Sequence, residues 1–298
     1  MLTLEYDHIL FLWVNDPCIV IGRYQNPFSE CNLKSMEEHN VQLVRRQSGG
    51  GAVYHDRGNL CFTLIGNKET TTKEENFSLV LKALANLGLH CELSGRNDIL
   101  LDGKKISGNA FQTTATKFCH HGTLLVSSDL SVMSNYLTPS STKLASKAVR
   151  SVASRVGNLK EGREDITNEM VETALIEAFN VAYGETEVTA IDCAAIPEAQ
   201  ANYRRFGDLS VILEKTPQFT HFFTHRFDWG EASLHLQVEK GLISEVRMFT
   251  DALDTSIVDR AVGILKGVPY NHAVLAELAR TCEQADLVSL LSHVVSLL

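Results

Sequence analysis

Short apolar runs, separated by turn-forming residues, dominate the first two thirds of the chain. They cover residues 9–14, 18–22, 41–45, 59–66 and 122–127. Runs of this length, rich in Val, Ile, Leu and Phe and bounded by Gly, Asn or Asp, are typical of β-strands. The pattern therefore predicts a strand-rich N-terminal region.

Two longer segments space their apolar residues as one face of a helix does. The first covers residues 74–87, and the second covers 168–183 with Thr167 as N-cap and Gly184 at the C-terminal end. Because strands and helices do not alternate strictly, the order favours an α+β fold over a doubly wound parallel sheet. We expect a large catalytic domain with a mixed or antiparallel sheet flanked by helices.

The composition changes near residues 214–219. Two alternating segments follow, 231–238 and 243–249, joined at a Lys-Gly turn, and two or three helices complete the chain. This order predicts a small C-terminal α+β domain over residues 219–298, after a larger domain over residues 1–214.

Composition and charge exclude several classes of protein. Of the 298 residues, 44% are hydrophobic, which supports a sizeable core and excludes intrinsic disorder. The 27 basic and 36 acidic residues give a net charge of −9, which argues against non-specific nucleic-acid binding. No apolar run is long enough to span a membrane, and the seven cysteines form no CxxC pair. We therefore expect a cytoplasmic protein with reduced thiols, no nucleic-acid partner and no membrane partner.

The most unusual segment is RRQSGGGAVYHD at residues 45–56. Glycines permit positive φ and close backbone approach to a ligand, and arginines neutralise carboxylate or phosphate. The segment matches neither a P-loop nor a dinucleotide fingerprint. Alone, it is equally compatible with a ligand-binding loop and with a flexible hairpin loop carrying solvated arginines.

A second candidate lies in a predicted hairpin over residues 97–111, which turns at an Asp-Gly pair. Alternation along a strand predicts that Lys104 and Lys105 point to opposite faces, with Lys105 on the face of Ser107 and Asn109. A lysine in that setting suits an anionic ligand. Taken alone, however, the segment favours a surface hairpin with two solvated lysines.

Two further segments leave their alternatives open. Adjacent histidines in HHGTLL at residues 120–125 face opposite ways on a strand, so they form a poor metal pair. One core and one exposed histidine is the simpler interpretation. Residues 143–156, KLASKAVRSVASRV, interleave cationic and small residues, which is compatible with a solvated helix face or with a basic flap over phosphates.

Taken in this order and spacing, the four segments resemble lipoate–protein ligase A of the bacterial type. The similarity covers nearly the whole chain, including the later FDWGEASLHLQVEKG and MFTDAL segments of the two-domain form. The resemblance implies that lipoate and Mg-ATP give lipoyl-AMP and pyrophosphate. The lipoyl group then passes to a lysine of an acceptor domain, in E2 subunits of 2-oxoacid dehydrogenases or in the glycine cleavage H protein. ATP and Mg²⁺ are the implied cofactors, and lipoate is the implied substrate.

The resemblance also implies roles for individual residues. Lys105 is expected to be catalytic, bridging the lipoyl carbonyl and the α-phosphate. The residues expected to bind ATP are Arg46, Gly51, Ala52, Val53, Tyr54, Asn97, Asp98 and Lys105, with Asp98 also the expected metal ligand. The residues expected to bind lipoate are Trp13, Arg45, Ser48, Gly49, Gly50, Lys105 and His121. The loop expected to close over the adenylate carries Lys147, Arg150, Ser151 and Arg155.

The family usually begins with a further segment that includes a helix carrying an acidic residue. We therefore expect part of the pocket wall to be missing here. Alternatives to the ligase are a transferase that uses preformed lipoyl-AMP, a biotin–protein ligase, and a silent paralogue that binds lipoate or the acceptor domain. We expect a monomer.

Overall fold

A computed structural model describes residues 6–25, 27–137, 156–207 and 221–298. The strands are β1 (Ile9–Val14), β2 (Cys18–Ile21), β3 (Gln42–Arg45), β4 (Val53–His55), β5 (Asn59–Asn67), β6 (Cys91–Ser94), β7 (Asp98–Leu101), β8 (Lys104–Thr113), β9 (Lys117–Leu125), β10 (His221–Phe227), β11 (Gly230–Glu239) and β12 (Leu242–Thr250). The α-helices are α1 (Pro27–Glu30), α2 (Leu33–Glu38), α3 (Lys73–Asn86), α4 (Leu130–Tyr136), α5 (Asn168–Tyr183), α6 (Pro197–Gly207), α7 (Ser256–Leu265), α8 (His272–Thr281) and α9 (Ala285–Ser296).

The largest sheet has six strands in the order β1-β5-β9-β8-β7-β6, and all its neighbouring strands are antiparallel. One face packs on helices α3 and α5, around a core that includes Phe62, Val80 and Leu175. Each of these three residues is 0% exposed, so this face supplies most of the hydrophobic stabilisation of the N-terminal region. The predicted α+β class is confirmed.

A smaller sheet, β3-β2-β4, is mixed, because β2 pairs parallel with β3 and antiparallel with β4. Its buried face carries Ile19, Ile21, Leu43 and Tyr54, which pack with Met36 of α2 and with α4. The glycine-rich segment connects β3 to β4 at one end of this sheet. Residues such as His55, next to Tyr54, therefore point to the opposite face.

The C-terminal region differs from its prediction in one strand. Ahead of the two predicted strands the structure adds β10, which gives an antiparallel sheet β10-β11-β12 followed by three helices. The sequence of β10, HFFTHRF, places phenylalanines on both faces and histidines beside them, so it lacks the clean alternation that marked its neighbours. The predicted boundary at residues 214–219 lies outside the described residues, so the predicted domain limits stay predictions.

Local signals in the sequence mark the ends of several elements, although β9 begins at Lys117, five residues before the strand predicted at residues 122–127. Thr72 forms a capping box with Glu75 at the start of α3, and Thr167 caps α5. The turn between β7 and β8 has φ of 49° at Asp102 and 75° at Gly103, the geometry that an Asp-Gly turn favours. The shorter helices α1, α2 and α4 were not predicted, because four to seven residues show too little helical periodicity.

Among the described residues, no helix combines the length and apolarity needed to cross a membrane.

Candidate active site

The candidate site lies between the free face of the six-stranded sheet and the small sheet. On the large sheet, Trp13 of β1 stands opposite Cys61 of β5, and Thr63 of β5 stands opposite His121 of β9. Residues directly opposite in an antiparallel pair share a face, as do residues two apart on one strand. This face, which we call the site face, is the one turned away from helices α3 and α5. His55 of the small sheet reaches it, because His55 Nδ1 lies 3.5 Å from the Cys61 thiol.

Arg46 shapes the glycine loop from within. Its guanidinium donates to the carbonyl oxygens of Val20 (3.0 Å), Gly49 (2.7 Å) and Gly51 (2.8 Å). Burial lowers the pKa of Arg46 to about 10, so the side chain remains charged at neutral pH. The solvated arginine of the flexible-loop interpretation is therefore wrong for Arg46. The guanidinium instead binds the loop carbonyl oxygens from within and so fixes the conformation of the loop.

Arg45 binds the backbone of the neighbouring turn at residues 22–25 in a similar way. Its Nη1 donates to the carbonyl oxygens of Gly22 (3.2 Å), Arg23 (3.0 Å) and Gln25 (2.8 Å). Both arginines thus bind backbone, and their predicted contacts with lipoate and ATP stay predictions.

The three glycines of the loop meet different surroundings. A Cβ on Gly49 would lie 2.1 Å from the Ala252 carbonyl oxygen, so this position accepts only glycine beside the C-terminal region. Gly50 has φ of +95° and donates its N–H to the same oxygen at 3.1 Å. A Cβ on Gly51 would meet nothing within 4 Å among the described residues. Gly51 therefore borders open space next to the site face.

Ala52, Val53 and Tyr54 follow the loop into β4. The Tyr54 ring is buried in the core of the small sheet, where it stacks on Tyr136 at 5.8 Å. Its side chain therefore points away from the site. Any contribution of Tyr54 to ATP binding rests on its backbone.

Lys104 and Lys105 point to opposite faces, as predicted. Lys104 Nζ pairs with Glu161 at 2.6 Å, whereas Lys105 Nζ pairs with Asp98 at 2.7 Å. The partners of Lys105 on its own face were predicted wrongly. Ser107 and Asn109 are 0% and 3% exposed and lie on the core side.

A β-bulge causes this difference. The register between β7 and β8 shifts between Ile99 and Leu100, so simple alternation fails along β8. A Cβ on Gly108 would lie 3.2 Å from Lys105 Nζ, and Gly108 N–H donates to Thr123 Oγ1, which stands opposite Cys61 on β5. Lys105 and Gly108 therefore share the site face.

Asn97 fixes the strand that bears Asp98. The Asn109 backbone N–H and its side-chain Nδ2 both donate to the Asn97 carbonyl oxygen at 3.0 Å, and Asn97 Nδ2 donates to the Asn109 carbonyl oxygen. Asn97 thereby positions the Asp98–Lys105 pair. Its predicted contact with ATP stays a prediction.

The two adjacent histidines do face opposite ways, but neither is fully solvated. His120 is 0% exposed and packs among Phe62, Phe77 and Phe111, where its Nε2 lies 2.9 Å from Asn109 Oδ1. His121 lies on the site face, with Nε2 2.5 Å from Ser48 Oγ. Burial lowers the pKa of His121 to about 4, with a smaller contribution from Arg46, so it is neutral at pH 7.

Three residues at the Trp13 end of the site face, Asn15, His55 and Cys61, were not predicted from the sequence. Asn15 Nδ2 lies 2.8 Å from His55 Nδ1, and the Cys61 thiol lies beside the same nitrogen. Both His55 and Cys61 are buried, at 6% and 1% exposed. For Cys61 the available signal was its place between the core residues Leu60 and Phe62, and for His55 its place next to the core residue Tyr54 on β4.

The predicted basic loop lies almost wholly outside the described residues, including Lys147, Arg150, Ser151 and Arg155. Its end is described: Val156 forms a parallel bridge with Lys105, and Gly157 N–H donates to the Lys105 carbonyl oxygen at 3.0 Å. Val156 and Gly157 therefore lie directly beside Lys105.

Two family models cover most of the chain. Residues 2–180 match the lipoyl protein ligase A/B catalytic domain, and residues 216–291 match the bacterial lipoate protein ligase C-terminus. The chain is also 43% identical, over 92% of its length and 84% of the relative, to lipoate-protein ligase A of Psychrobacter cryohalolentis.

Solved structures agree. A crystal structure of P. falciparum LipL1 in complex with lipoate matches with a TM-score of 0.82 and 33% identity, over 97% of this chain and 86% of that one. Lipoate-protein ligase A bound with ATP matches with a TM-score of 0.57 and 26% identity, over 71% of this chain and 85% of that one. A bipartite ligase from Thermoplasma acidophilum, studied with its E2 lipoyl domain, matches with a TM-score of 0.61 and 25% identity, over 73% and 88%. The chain therefore belongs to the lipoate–protein ligase A family of enzymes.

Proposed function

We propose that the chain activates lipoate with ATP to form lipoyl-AMP and pyrophosphate, and then transfers the lipoyl group to a lysine of an acceptor domain. The observation that carries the proposal is the position of Lys105. It lies on the site face beside Gly108, on β8, which β9 separates from the Cys61 strand β5.

The electrostatics of the first step require a cation at this position. Attack of a carboxylate on the α-phosphate brings two anions together, so fixed positive charge and oriented N–H groups must offset their repulsion. Lys105 supplies the charge, and its pair with Asp98 is exposed by about a third on each side (36%), so a phosphate can compete for the ammonium group. The open space beside Gly51 gives the ligand room to approach the loop backbone.

ATP as the co-substrate is supported by the relative that was solved with ATP bound. Magnesium ions usually bind through one or two carboxylates together with substrate phosphates. Asp98 is a carboxylate beside the proposed phosphate position, and the described residues contain no cluster of three or more His, Cys, Asp or Glu suited to a metal. These donors fit an ion that arrives with ATP, held by Asp98, which would neutralise phosphate charge.

The second step follows from the same geometry. An acyl-adenylate is a mixed anhydride, and an incoming lysine amine displaces AMP by attack at the acyl carbon. Lys105 beside that carbonyl would stabilise the negative charge that develops on its oxygen. Lipoyl domains of E2 subunits and the glycine cleavage H protein are the proposed acceptors, in line with the T. acidophilum ligase studied with its E2 lipoyl domain. We also propose that the enzyme acts as a monomer in the cytoplasm, where its seven free cysteines stay reduced.

The test is pyrophosphate release on mixing the protein, lipoate and Mg-ATP, followed by the intact mass of a lipoyl domain added afterwards. The ligase releases pyrophosphate and adds one lipoyl group to the domain. A transferase of preformed lipoyl-AMP adds the group only when lipoyl-AMP is supplied. Absence of the lipoyl group under both conditions contradicts any acyl-transfer function.

A further inference from the structure

The end of the site face near Trp13 contains a buried hydrogen-bond donor without a partner. Asn15 Nδ2 can only donate, so His55 Nδ1, at 2.8 Å, accepts. Burial raises the pKa of the Cys61 thiol, so the thiol keeps its proton and is a second donor 3.5 Å from the same nitrogen. The single proton of the neutral His55 ring is therefore on Nε2.

That Nε2–H is enclosed. His55 is 6% exposed, and its Nε2 has no hydrogen-bond partner among the described residues. Burial and the nearby Arg46 lower the pKa of His55 to about 4, so the ring is neutral at neutral pH. A buried donor left unpaired is costly, so its position favours a ligand that brings an acceptor.

The distance between Lys105 and the His55 Nε2–H group determines which end of a substrate reaches His55. Lys105 lies on β8 and Cys61 on β5, with β9 between them. The ammonium group of Lys105 lies beside Gly108, whose N–H donates to Thr123, the residue opposite Cys61, so two interstrand spacings of about 10 Å in total separate that ammonium group from Cys61. An extended eight-carbon acid with its carboxyl group at Lys105 therefore places its far end beside Cys61, His55 and Trp13.

We infer that His55 Nε2–H is a specificity-determining donor, which selects an acyl chain ending in a sulfur-containing ring over one ending in hydrocarbon. The inference rests on the proposed function and extends it to the choice of substrate. The two ring sulfurs of lipoate are acceptors at the distal end, whereas the methyl end of octanoate offers none. A hydrocarbon tail leaves the buried N–H unpaired, so the enzyme discriminates against it through that cost.

The decisive probe is a cyclopentyl analogue of lipoate, in which two CH₂ groups replace the sulfurs and the ring size is kept. The measured quantity is the ratio of kcat/KM for lipoate to that for the analogue, from pyrophosphate release. A ratio does not depend on the fraction of enzyme that is folded. His55→Leu should lower it about three- to tenfold.

Two variants control for structural effects. His55→Gln returns an amide N–H near the position of Nε2 and should keep most of the selectivity. His120→Leu removes another buried histidine, from the core face of the same sheet, and should leave the ratio unchanged. An unchanged ratio in His55→Leu, or an equal loss with both acids, overturns the inference.

Calorimetry of lipoate and of its cyclopentyl analogue, both without ATP, separates this inference from the proposed function. The affinity ratio should fall in His55→Leu by the same factor. If the unmodified enzyme releases no pyrophosphate with either acid, the proposed ligase is refuted, and calorimetry still decides the role of His55. If pyrophosphate is released, and His55→Leu changes neither the kcat/KM ratio nor the affinity ratio, only the inference fails.

Discussion

The two faces of the six-stranded sheet carry alternate residues of the same strands, yet they use polar groups in different ways. On the core face, His120, Asn109 and Ser107 bond to one another within a hydrophobic core and carry no charge at neutral pH. On the site face, Lys105 keeps a charged, partly exposed pair with Asp98. Core polar groups thus fix the strands, whereas site polar groups remain available to a ligand.

The glycines on the two sides of the sheet also differ in their surroundings. Gly122, on the core side, would place a Cβ 2.3 Å from Asn109 Oδ1 and 2.7 Å from the Phe62 ring, so packing alone demands glycine there. A Cβ on Gly51, at the site, would meet open space in the part of the chain that the structure describes. The same residue type serves close packing on one face and ligand access on the other.

The largest expected effect separates two neighbouring lysines. Lys105→Ala should lower the rate of pyrophosphate release by ~10²–10³, because it removes the cation that stabilises developing negative charge. Lys104→Ala breaks only an exposed pair with Glu161 and should leave the rate nearly intact. Steady-state kinetics on both variants check this, and equal losses would remove the catalytic role from Lys105.

A smaller effect is expected when the open space at the loop is filled. A Cβ on Gly51 meets no atom of the described residues within 4 Å, so in Gly51→Val the melting temperature should stay within a few degrees while kcat/KM falls on the order of tenfold or more. Gly263→Val is the matched control, because Gly263 also meets open space but lies on the exposed surface of α7. Normal turnover in Gly51→Val would show that no ligand occupies this space.

Acidification tests the neutral histidines of both faces. The folded-state pKa values of His55 and His121 are about 4, and that of His120 is about 3, against 6.5 for an unperturbed side chain. The unfolded chain therefore binds more protons between these limits, and stability present above pH 6.5 is lost as the pH falls toward 4.

Each of these histidines should contribute about 1–3 kcal/mol to that loss, as measured by urea unfolding at several pH values. His120→Leu and His121→Leu should each flatten the pH dependence. Only His121→Leu should also weaken lipoate binding, because His120 lies on the core face. If neither substitution reduces the steepness of the pH dependence, the effect belongs to other groups.

The smallest expected effect is on stability alone, from a substitution in helix α3 on the core side of the sheet. Thr72→Ala removes the N-cap of α3, where Thr72 Oγ1 accepts from the Glu75 N–H and the Glu75 carboxylate accepts from the Thr72 N–H. The free energy of unfolding should fall by about 1 kcal/mol with kcat/KM unchanged. Thr72→Ser keeps the cap and should be neutral in both measurements. A loss of activity in Thr72→Ala would show that the two faces are coupled.

Local signals were enough for much of the fold. The bounds of β1 and α5 follow from apolar runs and caps, and the Asp102-Gly103 turn follows from its residues alone. The opposite facing of Lys104 and Lys105 also follows from strand alternation. These features depend on interactions within a few residues, which a single sequence displays.

Features that depend on distant partners escaped prediction. The bulge between Ile99 and Leu100 changes which residues share a face with Lys105, and nothing in the local pattern marks it. The His55–Cys61 contact joins two different sheets, and the backbone contacts of Arg46 require the folded loop. The site chemistry was therefore predicted by residue type, and its partners required the structure.

The most direct test of the account is a crystal structure of the enzyme with lipoyl-AMP or a non-hydrolysable analogue. We predict that the carbonyl and phosphate groups lie beside Lys105 and the open side of Gly51, with the acyl chain crossing the site face so that its ring meets Trp13, Cys61 and His55. An adenylate bound elsewhere, or a ring at the Lys105 end with the phosphate near Trp13, would contradict the account.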